Sequence, residues 1–317
     1  MTVTSLVFRR AGPGRHPVPH KNKTVGGRRL GLEMQGNLYS LGYFSANVCL
    51  GTPAQRFDVI IDTGSSLTAV PCADCSHCGR HQHPTYVSAR YDSLASSTFS
   101  AAGSRPYSVS YTEGSSIRGR IVRDVAWFEE LGAGRRVDCP ATFGCQTHET
   151  GLFNSQVADG ISGLSRSRAY GATLFDALRE KTGAPDVFSI CLDEEVGALV
   201  LGANPNPNLN PNPNPDQVGA LVLSANPSPN PNPNPNPNPN PNPIPNPNPN
   251  PNPNQVGALV LGGAVRPGLQ LEWVTYSGAD LYTVPLTEVS HAGGGRLGGR
   301  VGSAIVDSGT SSIEPYP

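Results

Sequence analysis

Two stretches, one early in the chain and one near its far end, are written on the same plan, and any fold for this sequence has to place both. The first is Ile60-Ile61-Asp62-Thr63-Gly64-Ser65-Ser66 and the second is Ile305-Val306-Asp307-Ser308-Gly309-Thr310-Ser311. In each, two β-branched residues predict the end of a buried strand, and Asp-Thr/Ser-Gly-Ser/Thr then predicts a sharp turn with a carboxylate at its tip. A single Asp-Thr-Gly is weak evidence. Two copies, with the same lead-in and hydroxyl side chains beyond the glycine, predict a functional pair.

The residue types suit one chemistry. Two carboxyl groups held within hydrogen-bond reach cannot both ionise cheaply, so the pair keeps one proton and can act as acid and base together. Gly64 and Gly309 let backbone approach backbone where a side chain would intrude. Thr63 and Ser308 can hydrogen-bond across to the opposite loop, and Ser65 and Thr310 can each bond the outer oxygen of their own Asp. At these residues the sequence resembles the pepsin-like aspartic proteases, over the stretch from about residue 36 to the C-terminus apart from Asn-Pro insertions. The resemblance implies a mainly β, bilobal fold with the N-terminal lobe near complete and the C-terminal lobe partial. It also implies an endopeptidase that cuts a polypeptide substrate with a water activated by Asp62 and Asp307, using no covalent intermediate, no cofactor and no metal.

Charge is balanced, at 23 basic against 24 acidic residues, which gives no reason to expect nucleic acid or an anionic membrane as partner. No apolar run reaches the length needed to span a bilayer, and a monomer is expected. The N-terminus does not read as a signal peptide, because the run before Arg9-Arg10 is too short and too polar. Yet seven cysteines suit an oxidising compartment. A secretory-pathway or extracellular location is expected, with the natural N-terminus missing from the sequence. The organisation reads as a basic tail or pro-segment remnant at 1–35, an N-terminal protease lobe with its flap at 36–203, an Asn-Pro spacer with an embedded repeat strand at 204–254, and a repeat strand with a truncated C-terminal lobe at 255–317.

The first thirty residues are basic and rich in Gly and Pro, which predicts a disordered tail, and Asn22-Lys23-Thr24 is a formal glycosylation sequon. Gly51-Thr52-Pro53 reads as the hairpin turn before the first Asp strand, itself a marker of the same family. Next, Cys72, Cys75, Cys78 and His81 have spacing that could make a Cys3His zinc site. Disulfides bracing a surface loop are the favoured reading, because the resemblance implies a secretory protein. This cluster, with Tyr91-Asp92 and Ser96-Ser97-Thr98-Phe99, resembles the plasmepsin V-like and plant-type branch, whose full-length members are often tethered to a membrane. Seven is odd, so at least one thiol is free or has its partner outside this chain.

Residues 107–115 alternate like a strand and turn at Gly114, with 118–122 returning. By resemblance this hairpin is the flap that covers substrate, and Tyr111 is its tyrosine. Relatives commonly carry an aromatic a few residues after the first Asp that can meet that tyrosine; this chain has Ala69. Residues 158–164 match the family strand behind the first Asp loop, except that Ser162 replaces an apolar residue, and a buried hydroxyl there needs a partner. Residues 173–181 read as an amphipathic helix stopped by Gly183, and 187–192 as a strand.

Val-Gly-Ala-Leu-Val-Leu then occurs three times, at 196–201, 218–223 and 256–261, separated by alternating Asn and Pro. The Asn-Pro tracts should be extended spacers, the longer of them reaching about 90 Å at polyproline rise. Three near-identical strands should compete for one slot in the fold. Loop entropy favours the first by about 2–3 kcal/mol, so the first copy is expected to dock beside Ser189. Trp273, Tyr282 and Leu286 are core candidates. Because the chain stops soon after the second Asp loop, weak or absent activity is expected of it as written. The alternatives are an inactive protease-like fragment that binds extended peptides, and a small Cys/His zinc module.

Overall fold

The structure is a computed structural model that describes residues 4–9, 30–37, 41–83, 86–87, 90–128, 136–184, 186–192, 220–222, 257–261, 280–285 and 302–310. In chain order its strands are β1 (Thr4–Arg9), β2 (Leu30–Asn37), β3 (Tyr43–Leu50), β4 (Gln55–Asp62), β5 (Thr68–Pro71), β6 (Gln82–His83), β7 (Tyr86–Val87), β8 (Ser100–Ser110), β9 (Ser116–Phe128), β10 (Cys139–Thr150), β11 (Gly160–Gly163), β12 (Val187–Leu192), β13 (Ala220–Val222), β14 (Gly257–Leu261), β15 (Thr283–Pro285) and β16 (Ser303–Ile305). One α-helix among the described residues, α1, spans Leu174–Thr182. The mainly β expectation holds.

Strand β4 carries the first Asp because its last six residues are all buried. It pairs antiparallel with β3, and the hairpin between them turns at Gly51, whose φ of 82° is left-handed and suits glycine. On its other side β11 runs parallel to it, Gly160 opposite Val59 and Gly163 opposite Asp62. The first Asp therefore stands at the end of a strand held along both edges. Twelve strands form one mixed sheet in the order β13-β1-β12-β14-β2-β3-β4-β11-β5-β10-β9-β8, and β3 also pairs with β9. That second pairing curls the sheet back on itself around Val48, Leu50, Phe57, Val59, Ile61, Val122, Phe128 and Phe143, the centre of the core.

Helix α1 lies where its capping residues put it. Thr173 and Asp176 form a reciprocal capping box at its start, and Gly183, at φ 68°, ends it in the left-handed conformation. Leu174 and Leu178 are buried and Ala177 partly so, as the spacing predicts. Tyr282 is buried too, its ring 5.7 Å from that of Phe188 and its hydroxyl donating to the Leu164 carbonyl at 2.9 Å. Trp273 and Leu286 lie outside the described residues.

Two expectations are corrected. Thr4–Arg9, read from sequence as part of a disordered tail, forms β1, antiparallel to β12 and to β13. Its Leu6-Val7-Phe8 run has the β-propensity that the Gly/Pro-rich residues after it lack. The remainder of that tail, with its sequon, lies outside the described residues. It is also the third repeat, β14, that stands beside Ser189, with Ser189 opposite Val260. The second repeat contributes β13, at the sheet's edge, and the first lies outside the described residues. Loop-closure entropy grows only with the logarithm of loop length. Strand β14 is paired with β12 on one edge and β2 on the other. A second ladder of net worth about 0.5–1.5 kcal/mol per hydrogen bond outweighs that entropic difference.

Candidate active site

The two Asp loops meet tip to tip. A Cβ placed on Gly64 would lie 2.5 Å from Asp307 Oδ2, and one on Gly309 would lie 2.7 Å from Asp62 Oδ1. Each glycine is thus required by the carboxyl group of the opposite loop. Four hydrogen bonds lock the approach. The Thr63 N–H donates to Ser308 Oγ at 3.1 Å and the Ser308 N–H donates to Thr63 Oγ1 at 2.9 Å. Thr63 Oγ1 in turn donates to the Val306 carbonyl at 2.9 Å, and Ser308 Oγ to the Ile61 carbonyl at 2.7 Å. The Thr63 and Ser308 N–H groups and the Ile61 and Val306 carbonyls are each satisfied by the hydroxyl of the other loop.

Within each loop the Asp accepts from the glycine two residues on, Gly64 N–H to Asp62 Oδ1 at 2.7 Å and Gly309 N–H to Asp307 Oδ1 at 2.8 Å. Thr310 Oγ1 donates to Asp307 Oδ2 at 2.7 Å, as expected. Ser65 does not match it. Its hydroxyl lies close to both the Asp62 carboxyl and the Tyr111 hydroxyl, but neither contact reaches hydrogen-bond geometry. The two loops also differ in depth. Ile60 and Ile61 are buried, whereas Ile305 and Val306 are only half-buried, which corrects the expectation of two equally buried strand ends. Strand β16 has β15 as its pairing partner, while β4 is flanked on both sides.

Asp62 is 4% exposed, and its carboxyl group is held well above the usual carboxylate range. Burial is the largest cause, followed by the charge of Asp307 and the hydrogen bond between the two carboxyl groups, against smaller opposing effects of Ser65 and the Gly64 N–H. The loop is braced from behind by Leu164 N–H, which donates to the Asp62 carbonyl at 2.7 Å. Ser162, the unexpected hydroxyl in β11, finds its partner in Thr68 Oγ1 at 3.0 Å.

Above the pair, β8 and β9 form the hairpin read as a flap. Its tip turns at Gly114, φ 96°, with open space where a Cβ would stand. Tyr111 N–H donates to the Ser115 carbonyl at 2.9 Å, and Gly114 N–H to the Tyr111 carbonyl at 3.0 Å. Burial and then the charge of Asp62 push the Tyr111 hydroxyl above the usual tyrosine range. Ala69 is buried in the same apolar cluster, but the ring that Tyr111 meets is Phe153, with centroids 5.1 Å apart. Sequence reading missed Phe153. It is a single aromatic in the turn Gly151–Asn154, where no periodicity marks it.

The cysteine cluster is not a zinc site. Cys72 is bonded to Cys145 and Cys75 to Cys78, so the sulfurs of the proposed Cys3His set are consumed in disulfides. His81 instead faces Glu149, Nε2 to Oε2 at 3.1 Å, with both residues buried. Burial alone would push the His81 imidazolium down, but the hydrogen bond and charge of Glu149, then the charge of Asp159, hold it above its usual value. Cys139, buried and in no disulfide, donates to the Ala126 carbonyl at 3.3 Å, and burial with the charge of Asp138 pushes its thiol up to about 12. Among the described residues no helix is long and apolar enough to cross a membrane.

A family model described as Xylanase inhibitor N-terminal matches residues 44–203 of the chain. Aspartic protease 5 of Toxoplasma gondii is 34% identical over 199 residues, covering 53% of this chain and 20% of that protein. Plasmepsin V of Plasmodium falciparum is 30% identical over 183 residues, covering 54% of this chain and 30% of that protein. Chymosin of Ovis aries is 34% identical over 170 residues, covering 51% and 41%. The chain therefore spans between a fifth and about two-fifths of the length of these relatives. The matched residues take in the first Asp strand, the flap, the disulfide-braced loop and the strand behind the Asp; the chain belongs to the pepsin-like aspartic protease family, through the domain described as xylanase inhibitor N-terminal.

Proposed function

We propose that the protein is an aspartic endopeptidase in which Asp62 and Asp307 together activate a water against a peptide bond. The pair shares one proton, and burial favours its residence on Asp62. Asp62 gives that proton to the substrate's carbonyl oxygen while Asp307 takes one from the attacking water. The water oxygen bonds to the carbonyl carbon and leaves a neutral tetrahedral diol. When the diol collapses, the C–N bond breaks, the departing nitrogen takes its proton from Asp307, and a diol hydroxyl returns one to Asp62. Gly64 and Gly309 permit the approach of the carboxyl groups, Thr63, Ser308 and Thr310 orient them, and Tyr111 with Gly114 covers the bound chain.

The observation that carries this reading is the meeting of the two loops, with each glycine against the opposite carboxyl group. A family described by an inhibitor invites a reading as a binding module, but the Thr63–Ser308 bonds that join the two Asp loops support the catalytic reading. Two disulfides support passage through the secretory pathway or release outside the cell. The test is cleavage of an unfolded protein substrate in mild acid, with Asp62→Asn and Asp307→Asn as controls. Each substitution should reduce the rate by about 10²-fold or more, and a peptide analogue bearing a tetrahedral hydroxyl at the scissile position should block the wild type. Cleavage that survives both substitutions would sink the proposal.

A further inference from the structure

A lid tyrosine is useful only if something rigid decides where it stands, and among the described residues Tyr111 has one aromatic contact to serve that purpose. Its ring packs on Phe153 at 5.1 Å, tilted by 44°, while Ala69 in the same cluster offers a methyl group alone. Phe153 is buried, and the turn that carries it is fastened to the flap where its return arm leaves the tip. Leu152 N–H donates to Ser115 Oγ at 2.9 Å, Ser116 N–H donates to Thr150 Oγ1 at 2.9 Å, and the hydroxyls of Ser116 and Thr150 lie 2.8 Å apart. Gly151, at φ 61°, makes the contact possible, since a Cβ there would lie 2.5 Å from Ser115 Oγ. Flap tip and aromatic prop are thus one bonded unit.

We propose that Phe153 is a positioning residue for the flap, its ring setting where Tyr111 stands. The inference rests on the proteolytic reading for its consequence, though not for its geometry. A prop outside the hairpin means that Tyr111 and the turn Gly151–Asn154 shift together when the flap opens.

The experiment uses the full chain with 13Cζ-labelled tyrosine and two variants, Phe153→Ala and Phe153→Leu, the second retaining apolar volume without a ring. Urea midpoints establish that each variant folds. The Tyr111 hydroxyl should titrate above the usual tyrosine range in the wild type and fall back toward it in both variants, with Tyr43 and Tyr91 unchanged. In the cleavage assay kcat/KM should drop by about ten- to a hundredfold, the range expected of a displacement near 1 Å, mostly in kcat. In a Tyr111→Ala background Phe153→Leu should cost nothing further. A Tyr111 titration unmoved in folded Phe153→Leu overturns the proposal, and so does an undiminished effect without Tyr111, which would mark an ordinary core residue. If the wild type cleaves nothing, the titration still decides the role of Phe153.

Discussion

Thr63 and Ser308 each use one hydroxyl twice, accepting from the opposite backbone and donating back to it. The two residues are 245 positions apart, so nothing local brings them together. The crossing is a few hydrogen bonds strong, and its value lies in leaving no buried backbone group unpaired. Thr63→Val keeps the shape and removes both bonds of one hydroxyl, stranding the Ser308 N–H and the Val306 carbonyl. It should destabilise the fold by about 1–3 kcal/mol for each partner left unsatisfied, read from urea unfolding. Ser308→Ala should act similarly, and the double variant should cost less than the sum, because the two hydroxyls share one network. Strict additivity would mean that the loops stay together without this crossing. Ser65 sets a useful contrast, since its counterpart Thr310 bonds its Asp and it does not.

At the level of elements, the third repeat is the one to test. A Ser189→Cys chain should form a disulfide with Val260→Cys, its register partner, and not with Val200→Cys in the first repeat, as read by peptide mapping. Capture of Val200→Cys instead would restore the loop-entropy argument. What was legible in the sequence was what local chemistry dictates. Helix α1 was readable from Thr173, Leu174, Leu178 and Gly183, because caps and periodicity act within a few residues. The flap hairpin and the Asp strand were readable for the same reason. Phe153 was not, because its meaning depends on a tyrosine 42 positions away that only the fold supplies. Nor was the hub at Asp124, which accepts from Tyr91 and from Thr98 at 2.5 Å each, or the one at Asp58, which accepts from Gln35 and Ser45 at 2.9 Å each. Their partners stand on other strands or loops, and no spacing rule reaches them. The cysteine cluster was legible as disulfides but not in its pairing, since Cys145 lies 73 residues from Cys72.

Across the whole molecule, the two ends of the chain are joined at the site and, away from it, by the ladders that β14 makes with β2 and β13 makes with β1. Arg166 N–H donates to the Asp280 carbonyl at 2.9 Å, Tyr282 reaches Leu164, and Val306 N–H donates to the Tyr282 carbonyl at 2.9 Å. Protons bound there couple to global stability. Asp62 and His81 both have folded pKa values raised above the unfolded ones, so at intermediate pH the native state binds more protons than the unfolded chain. Their contributions are fully present below the unfolded values, near 4 and 6.5, and are lost as pH rises through the folded values. Urea stability should therefore fall from mild acid toward alkaline pH. Asp62→Asn should flatten the acidic part of that fall and His81→Gln the part above neutrality, and an unchanged slope in both would refute the linkage. Beneath all of this stands the claim that the two Asp side chains titrate as one unit. Carboxyl-carbon NMR of Asp62 across pH, in the wild type and in Asp307→Asn, tests it most directly. Asp62 should titrate well above the usual carboxylate range and drop in Asp307→Asn, though not all the way, because its burial persists. A titration at the ordinary value near 4, or one that Asp307→Asn leaves unmoved, would contradict the account.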